Sequence, residues 1–375
     1  MQQIIQEFLE MVQIGCGSRD ERRIADYMKS HLEMLGCTVT EDGAAEKVGG
    51  NTGNVIAYLP GELEGCVMLS SHMDRVSNGY NVKPQFHNGQ ITSDGTTILG
   101  ADNVSGLASI LDAVRRLKAD GRPHATVEIV LSVCEETGIL GARVMDVDKL
   151  KSDVAFIMDS TGPLGQLDIK RPYKAMITVH VYGLRSHGGT PEKGINAVTA
   201  ACTMLDGIRE GRLDEESTSN LGVIHGGGFE PGTVCDDVEI KCEARSISYD
   251  KLMAYLNYFE DYCKRGIAKT NAKMSFSYEI QHANYCYTEK DPIVQLAMGA
   301  LREMGIEPIL GLTMEGCDGN IYKAHGIECI SVGMGNSHAH ALDEAVTIAD
   351  LERAGELAQR MIYAYSAEKN RGNSV

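Results

Sequence analysis

The run Ala125-Thr126-Val127-Glu128-Ile129-Val130-Leu131-Ser132-Val133 is apolar or β-branched on both alternating sets of positions. A strand of that kind must be covered on both faces, which is the situation of a strand inside a parallel sheet. Residues 54–59, 66–70, 154–158 and 329–332 are further short apolar runs that read as strands, and 104–117 reads as a helix between two of them. Ile4, Ile5, Phe8, Leu9 and Val12 form a helix-period stripe at the start. Ser18-Arg19-Asp20-Glu21 predicts a capping box that opens a second helix reaching about Leu35, with Gly36 closing it. Strands and helices in this alternation predict an α/β fold: a mostly parallel sheet flanked by helices.

The rhythm changes near Pro172. Ala175, Ile177, Val179 and Val181 alternate with Met176, Thr178, His180 and Tyr182, as in a half-exposed antiparallel strand. A helix from about Ile195, a turn at Gly226-Gly227-Gly228, a strand over 238–244, a helix over 250–268 and an alternating strand over 273–281 follow. The βα alternation resumes at Asp291. A chain of 375 residues exceeds the roughly 250–300 that one core usually serves. The expected organisation is an α/β domain of residues 1–172 and 284–375, with residues 173–283 inserted as a small α+β domain. The tail after Lys369 is expected to fray.

Lys and Arg total 35 against 52 Asp and Glu, a net charge of −17, which argues against nucleic acid or an anionic membrane as partner. Eleven cysteines occur without a C-x-x-C pair, and the N-terminus opens an amphipathic helix rather than a basic leader. Both features point to free thiols in a reducing compartment. No apolar run approaches the roughly 20 residues of a membrane span, so a cytoplasmic protein is expected.

Chemistry-bearing residues cluster where the apolar strands end, the place where open parallel sheets build their sites. Ser71-His72-Met73-Asp74 follows one strand. Residues two apart in extended chain point the same way, so Asp74 can fix the His72 tautomer and leave the other ring nitrogen for a metal. In Gly100-Ala101-Asp102-Asn103, Asp102 is either a helix N-cap or a carboxylate bridging two cations. Cys134-Glu135-Glu136-Thr137-Gly138 puts adjacent acids at the mouth of the most apolar strand, either as a solvated loop or as a pair that cations neutralise. Met158-Asp159-Ser160 closes another strand, and His338 and His340 compete for a ligand role in the loop leading to Asp343-Glu344. Two imidazoles and several carboxylates without cysteine suit catalytic zinc, with cobalt or manganese as substitutes. Gly333-Met334-Gly335 is no dinucleotide fingerprint, because G-x-G-x-x-G is absent.

These motifs, in this order along nearly the whole chain, resemble the di-zinc peptidase/deacylase superfamily that holds peptidase T, aminoacylase and acetylornithine deacetylase, and most of all its peptidase T-like branch. The resemblance implies that His72 and Asp159 hold one zinc, Glu136 and His340 the other, and that Asp102 bridges the two, with its peptide to Asn103 often cis in this family. It makes Glu135 the general base and Asp74 the partner of His72. The segment from Arg185 to Asn196 resembles the family's lid motif, whose His, here His187, reaches the partner subunit's active site; Arg245 resembles the lid Arg that grips a substrate carboxylate. The inserted domain is then a lid and dimerisation domain, and a homodimer is expected.

A metal-dependent aminopeptidase acting on short peptides is therefore expected, since Asp at position 159 resembles the aminopeptidase branch and Glu there the carboxypeptidases and deacylases. An N-acyl-amino-acid deacylase of the same fold is the near alternative. A catalytically silent metal- or peptide-binding homologue is the alternative of another class, against which the intact Glu135 counts. One departure bears on substrate: Gly232-Thr233-Val234-Cys235 stands where relatives usually carry Asn before Val-Val-Pro, so a side-chain donor to the substrate is missing.

Overall fold

A computed structural model describes residues 2–227 and 231–371. The chain divides into two units, Met1–Ile169 with Tyr287–Leu312 and Cys317–Val375, and Lys170–Cys286 with Thr313–Gly316.

In the first unit the strands lie in the order Thr38–Glu41, Val55–Leu59, Ala125–Ser132, Leu63–His72, Val154–Ser160, Glu328–Gly333 and Gln166–Arg171. The middle of the sheet is parallel: Leu63–His72 pairs in parallel with Ala125–Ser132 and Val154–Ser160, and Val154–Ser160 with Glu328–Gly333. Its margins are antiparallel. Ala125–Ser132 is buried on both faces, as its composition requires. Its one acid, Glu128, is fully buried and accepts hydrogen bonds from the Tyr58 hydroxyl and from the Lys151 and Ser152 amides. A buried carboxylate is tolerated there because its oxygens are satisfied. Helices Gln3–Val12, Ala101–Asp120 and Ile348–Arg371 pack on one another, and the latter two pack on the sheet.

The register aligns the carboxyl ends of the parallel strands, with His72 opposite Ser132. Asp159 stands at the end of the next strand, and Glu135 and Glu136 follow the end of Ala125–Ser132.

Helix Arg22–Met34 begins one residue after Glu21 and carries no side-chain cap, contrary to the capping box expected at Ser18–Glu21. The Ser18 hydroxyl instead donates to Asp74 Oδ2 at 2.6 Å. Glu21 is fully buried, and its Oε1 accepts the Arg19 amide at 2.9 Å and the Cys134 amide at 3.0 Å. Partners brought in by the tertiary fold, Asp74 for Ser18 and Cys134 for Glu21, take the place of the reciprocal cap.

The second unit is an antiparallel sheet in the order Gly211–Asp214, Ser217–Gly226, Asp237–Ser246, Tyr173–Tyr182 and Lys273–His282. Ala175, Ile177, Val179 and Val181 are buried in one core with residues of helices Ala197–Leu205 and Tyr249–Ile267. The Asn196 side chain caps the first of these helices, accepting the Val198 and Thr199 amides. Of the expected turn at Gly226-Gly227-Gly228, Gly226 ends a strand and Gly228 lies outside the described residues. At the other end of the chain helix Ile348–Arg371 extends past Lys369, so residues 370 and 371 are helical rather than frayed. The rest of the expected tail, residues 372–375, lies outside the described residues. No helix among the described residues is long and apolar enough to cross a membrane.

Candidate metal centre

Five side chains from five different loops and strand ends of the first unit converge. His72 Nε2 lies 3.1 Å from Asp102 Oδ1 and 3.3 Å from Asp159 Oδ1. His340 Nε2 lies 2.9 Å from Glu136 Oε1 and 3.4 Å from Asp102 Oδ2. Asp102 thus turns one oxygen towards each imidazole. The donor atoms form two triads, His72–Asp102–Asp159 and Asp102–Glu136–His340, in each of which all atoms lie within 4.8 Å of one another. A tetrahedral ion with bonds of about 2.0–2.1 Å spaces its ligand atoms about 3.3 Å apart, so both triads fit a zinc-sized cation.

Neighbours set the aim of candidate ligand His72 and of the turn that carries Glu136. The His72 ring donates from Nδ1 to the Asp74 carbonyl oxygen at 2.9 Å, with Asp74 Oδ1 at 3.4 Å, which leaves Nε2 for the site. The Asp74 carboxylate is fully buried and does more than flank the ring. It accepts the Glu135 amide at 2.9 Å and the Glu136 amide at 3.2 Å, fixing the turn that carries both acids. Ser18 and Glu21 extend that support from the N-terminal segment. The Asp102–Asn103 peptide is cis, and both residues leave helical geometry although helix Ala101–Asp120 encloses them.

The centre is rich in acids. Burial pushes the Glu135 and Glu136 carboxyls up, Glu135 well above the usual range. Hydrogen bonds to Asp102 and Glu136 push the His340 imidazole up to about 11. Burial opposes charge on His72, yet the Asp159 and Asp102 carboxylates outweigh it and raise the ring well above its ordinary value. Asp102 is likewise resisted by burial but is held low by His340 and His72. Bases raised by surrounding carboxylates mark a position that draws positive charge, which divalent ions satisfy.

Four supporting acids and hydroxyls were not assigned from sequence: Ser18, Glu21, Asp318 and the clamp made by Glu344. Asp318 is buried, its Oδ2 accepts the Ser132 hydroxyl at 2.5 Å, and burial pushes it up to about 7. Its Oδ1 is buried without a hydrogen-bond partner among the described residues. Glu344 accepts the Gly100 and Asp102 amides. Glu344 left a trace in the sequence through its place four residues after His340, Ser18 and Glu21 only as a cap motif, and Asp318 none. His338 is exposed and pairs with Asp343 at 2.7 Å, outside both triads.

Within the second unit, His187 is exposed and its Nδ1 accepts the Gly189 amide at 2.9 Å, which puts the proton on Nε2. Its loop is braced by the Gly188 amide on the Gly232 carbonyl, 2.7 Å. A Cβ at Gly232 would meet no atom within 4 Å, so sterics do not demand glycine there. Arg245 is engaged: Nε and Nη2 donate to Glu243 at 2.9 and 3.1 Å, and Nη1 to the Met314 carbonyl at 2.8 Å.

A largely parallel α/β sheet with mixed His/carboxylate triads at its strand ends is the setting of a candidate two-metal centre. Residues 68–364 match Peptidase family M20/M25/M40, and the chain belongs to that family. Several of its likenesses lie on the peptidase T-like branch. It is similar to aminopeptidase PepT from Bacillus cereus, at 31% identity and a TM-score of 0.87, covering 97% of this chain and 98% of that one. A tripeptidase from Staphylococcus aureus is 28% identical, with a TM-score of 0.89 and the same shares covered. The uncharacterized protein YqjE of Bacillus subtilis is 32% identical over 361 residues, 96% of this chain and 97% of that protein.

Proposed function

We propose that this peptidase is a metal-dependent aminopeptidase that releases N-terminal residues from short peptides. The observation that carries the reading is the pair of donor triads sharing Asp102, with Glu135 beside them and uncommitted: among the described residues its carboxylate has no hydrogen-bond partner. His72 and Asp159 would hold one divalent ion, Glu136 and His340 the other, and Asp102 both; zinc suits the donor set. When bound, two such ions supply Lewis acidity for the scissile carbonyl and acidify the attacking water. Glu135 takes the proton of that water and passes it to the leaving amine. A carboxyl raised by burial is a stronger base than one in water, as that role needs. The family resemblance assigns His187, from the partner subunit of a homodimer, to the developing oxyanion, and Arg245 to the peptide's far carboxylate.

The likeness to PepT and to a tripeptidase favours peptides over N-acyl amino acids, and Asp159 agrees with it. A panel of dipeptides and tripeptides with free and blocked termini, run with zinc, cobalt and manganese, tests the reading. Release of free N-terminal residues is expected. Release of acyl groups alone would replace it with the deacylase, and no release of either kind with a silent homologue.

A further inference from the structure

Glu344 is a wholly buried carboxylate, and both of its oxygens face backbone. Oε2 accepts the Gly100 amide at 2.6 Å and Oε1 the Asp102 amide at 2.9 Å. It lies in the loop that carries His340, and its own amide is tied to the Ala341 carbonyl at 3.1 Å. One side chain therefore joins the loop of a candidate ligand to the peptide of the shared one. The local helix cannot do this work. The first amides of a helix lack intrahelical acceptors, and Asp102 and Asn103 depart from helical geometry altogether. Gly100 adopts φ +78° and passes so close to Arg75 that a Cβ would come within 2.3 Å of that side chain. The turn is thus held by its neighbours, and the acceptor for two of its amides is Glu344.

We infer that Glu344 is a positioning residue that sets the aim of Asp102, and through it the affinity of both metal positions at once. The inference rests on the metal reading above. Outer partners of metal ligands typically govern affinity by about 10–100-fold. Glu344→Gln keeps the side-chain volume and one acceptor oxygen but turns an NH2 group towards a backbone N–H. Zinc titration of the apoprotein against a chromophoric chelator should find both ions weakened together by about 10–100-fold. The zinc concentration for half-maximal tripeptide cleavage should rise by the same factor. His340→Ala, which removes a donor from one position, should weaken one ion far more than the other. Unchanged affinities in Glu344→Gln, beside a wild type that binds two ions, would overturn the inference alone. A weakening confined to one ion would do the same, and so would an apoprotein of Glu344→Gln that no longer folds, since Glu344 would then serve folding. A wild type that binds no zinc would overturn the metal reading with it.

Discussion

Glu135 and Glu136 are adjacent in sequence yet differ in commitment. Glu136 Oε1 lies 2.9 Å from His340 Nε2, whereas the Glu135 carboxylate, which interacts electrostatically with His72 and Asp159, has no hydrogen-bond partner among the described residues. Asp74 holds the turn that carries both acids by accepting their two backbone amides. Glu135→Gln should keep metal and fold but lower turnover by at least about 10²-fold, the usual contribution of a positioned general base. Elemental analysis and turnover measured on the same sample check this; near-normal turnover would remove Glu135 from the mechanism. Asp74→Asn has a different expected signature. Its amide nitrogen cannot accept a backbone N–H, so one of the two turn amides loses its partner, and metal content as well as turnover should fall. Retention of full metal with the variant would show that the turn holds without Asp74.

At the scale of elements, Glu41 ties an edge strand to a helix. On strand Thr38–Glu41, it accepts from Arg22 at 2.5 and 3.0 Å, Lys29 at 2.9 Å, and the Thr52 hydroxyl and Gly53 amide at 3.0 Å each. Arg22 is the chief reason the carboxyl is held well below the usual range. A depressed folded pKa contributes stability that is present above the unfolded value of about 4.3 and lost as pH falls through the folded one. With both partners partly in solvent, screening leaves about 1–2 kcal/mol. Thermal unfolding of Glu41→Gln should therefore be lowered at pH 7, and the gap to wild type should begin to narrow below about pH 4 and close only well below it, as the folded carboxyl itself titrates. A gap independent of pH would mean that shape, not charge, is what Glu41 contributes. Elements were legible where one residue class repeats. The apolar run at 125–133 and the alternation from Ala175 to Val181 both gave strands. The hairpin of Gly211–Asp214 and Ser217–Gly226 went unread because its core-facing residues include Ser217 and Ser219, buried hydroxyls that carry no apolar signal. Ser18–Glu21 misled for the related reason that a cap motif is local, while the buried acceptors and donors it met are remote in sequence.

For the whole molecule, the α/β class followed from strands too apolar to face water, and the convergence of His72, Asp102, Glu136, Asp159 and His340 from motifs at strand ends. The supporting acids did not follow, because Glu21 and Asp318 act through backbone amides and hydroxyls more than a hundred residues away, which no local pattern encodes. What remains is which end of a peptide this molecule reads. The aminopeptidase proposal requires a free amine, since an acidic metal centre attracts an ammonium or amine and N-acetylation removes both its charge and its basic lone pair. N-acetylating a good tripeptide should abolish cleavage. The proposal also gives the far carboxylate to Arg245, whose Nε and Nη2 face Glu243. A peptide carboxylate must then compete with, or share, an internal one. C-terminal amidation should cost about 1.5–3 kcal/mol in kcat/KM, the scale of a lost charged hydrogen bond. In Arg245→Ala that penalty should vanish; in Glu243→Gln it should grow, because the guanidinium loses its internal competitor and takes the peptide's carboxylate more fully. The measurement is kcat/KM for the free, acetylated and amidated forms of one tripeptide with the three enzymes. An amidation penalty that survives in Arg245→Ala would move the carboxylate contact elsewhere, and an acetylated peptide that proves the best substrate would turn the enzyme into a deacylase.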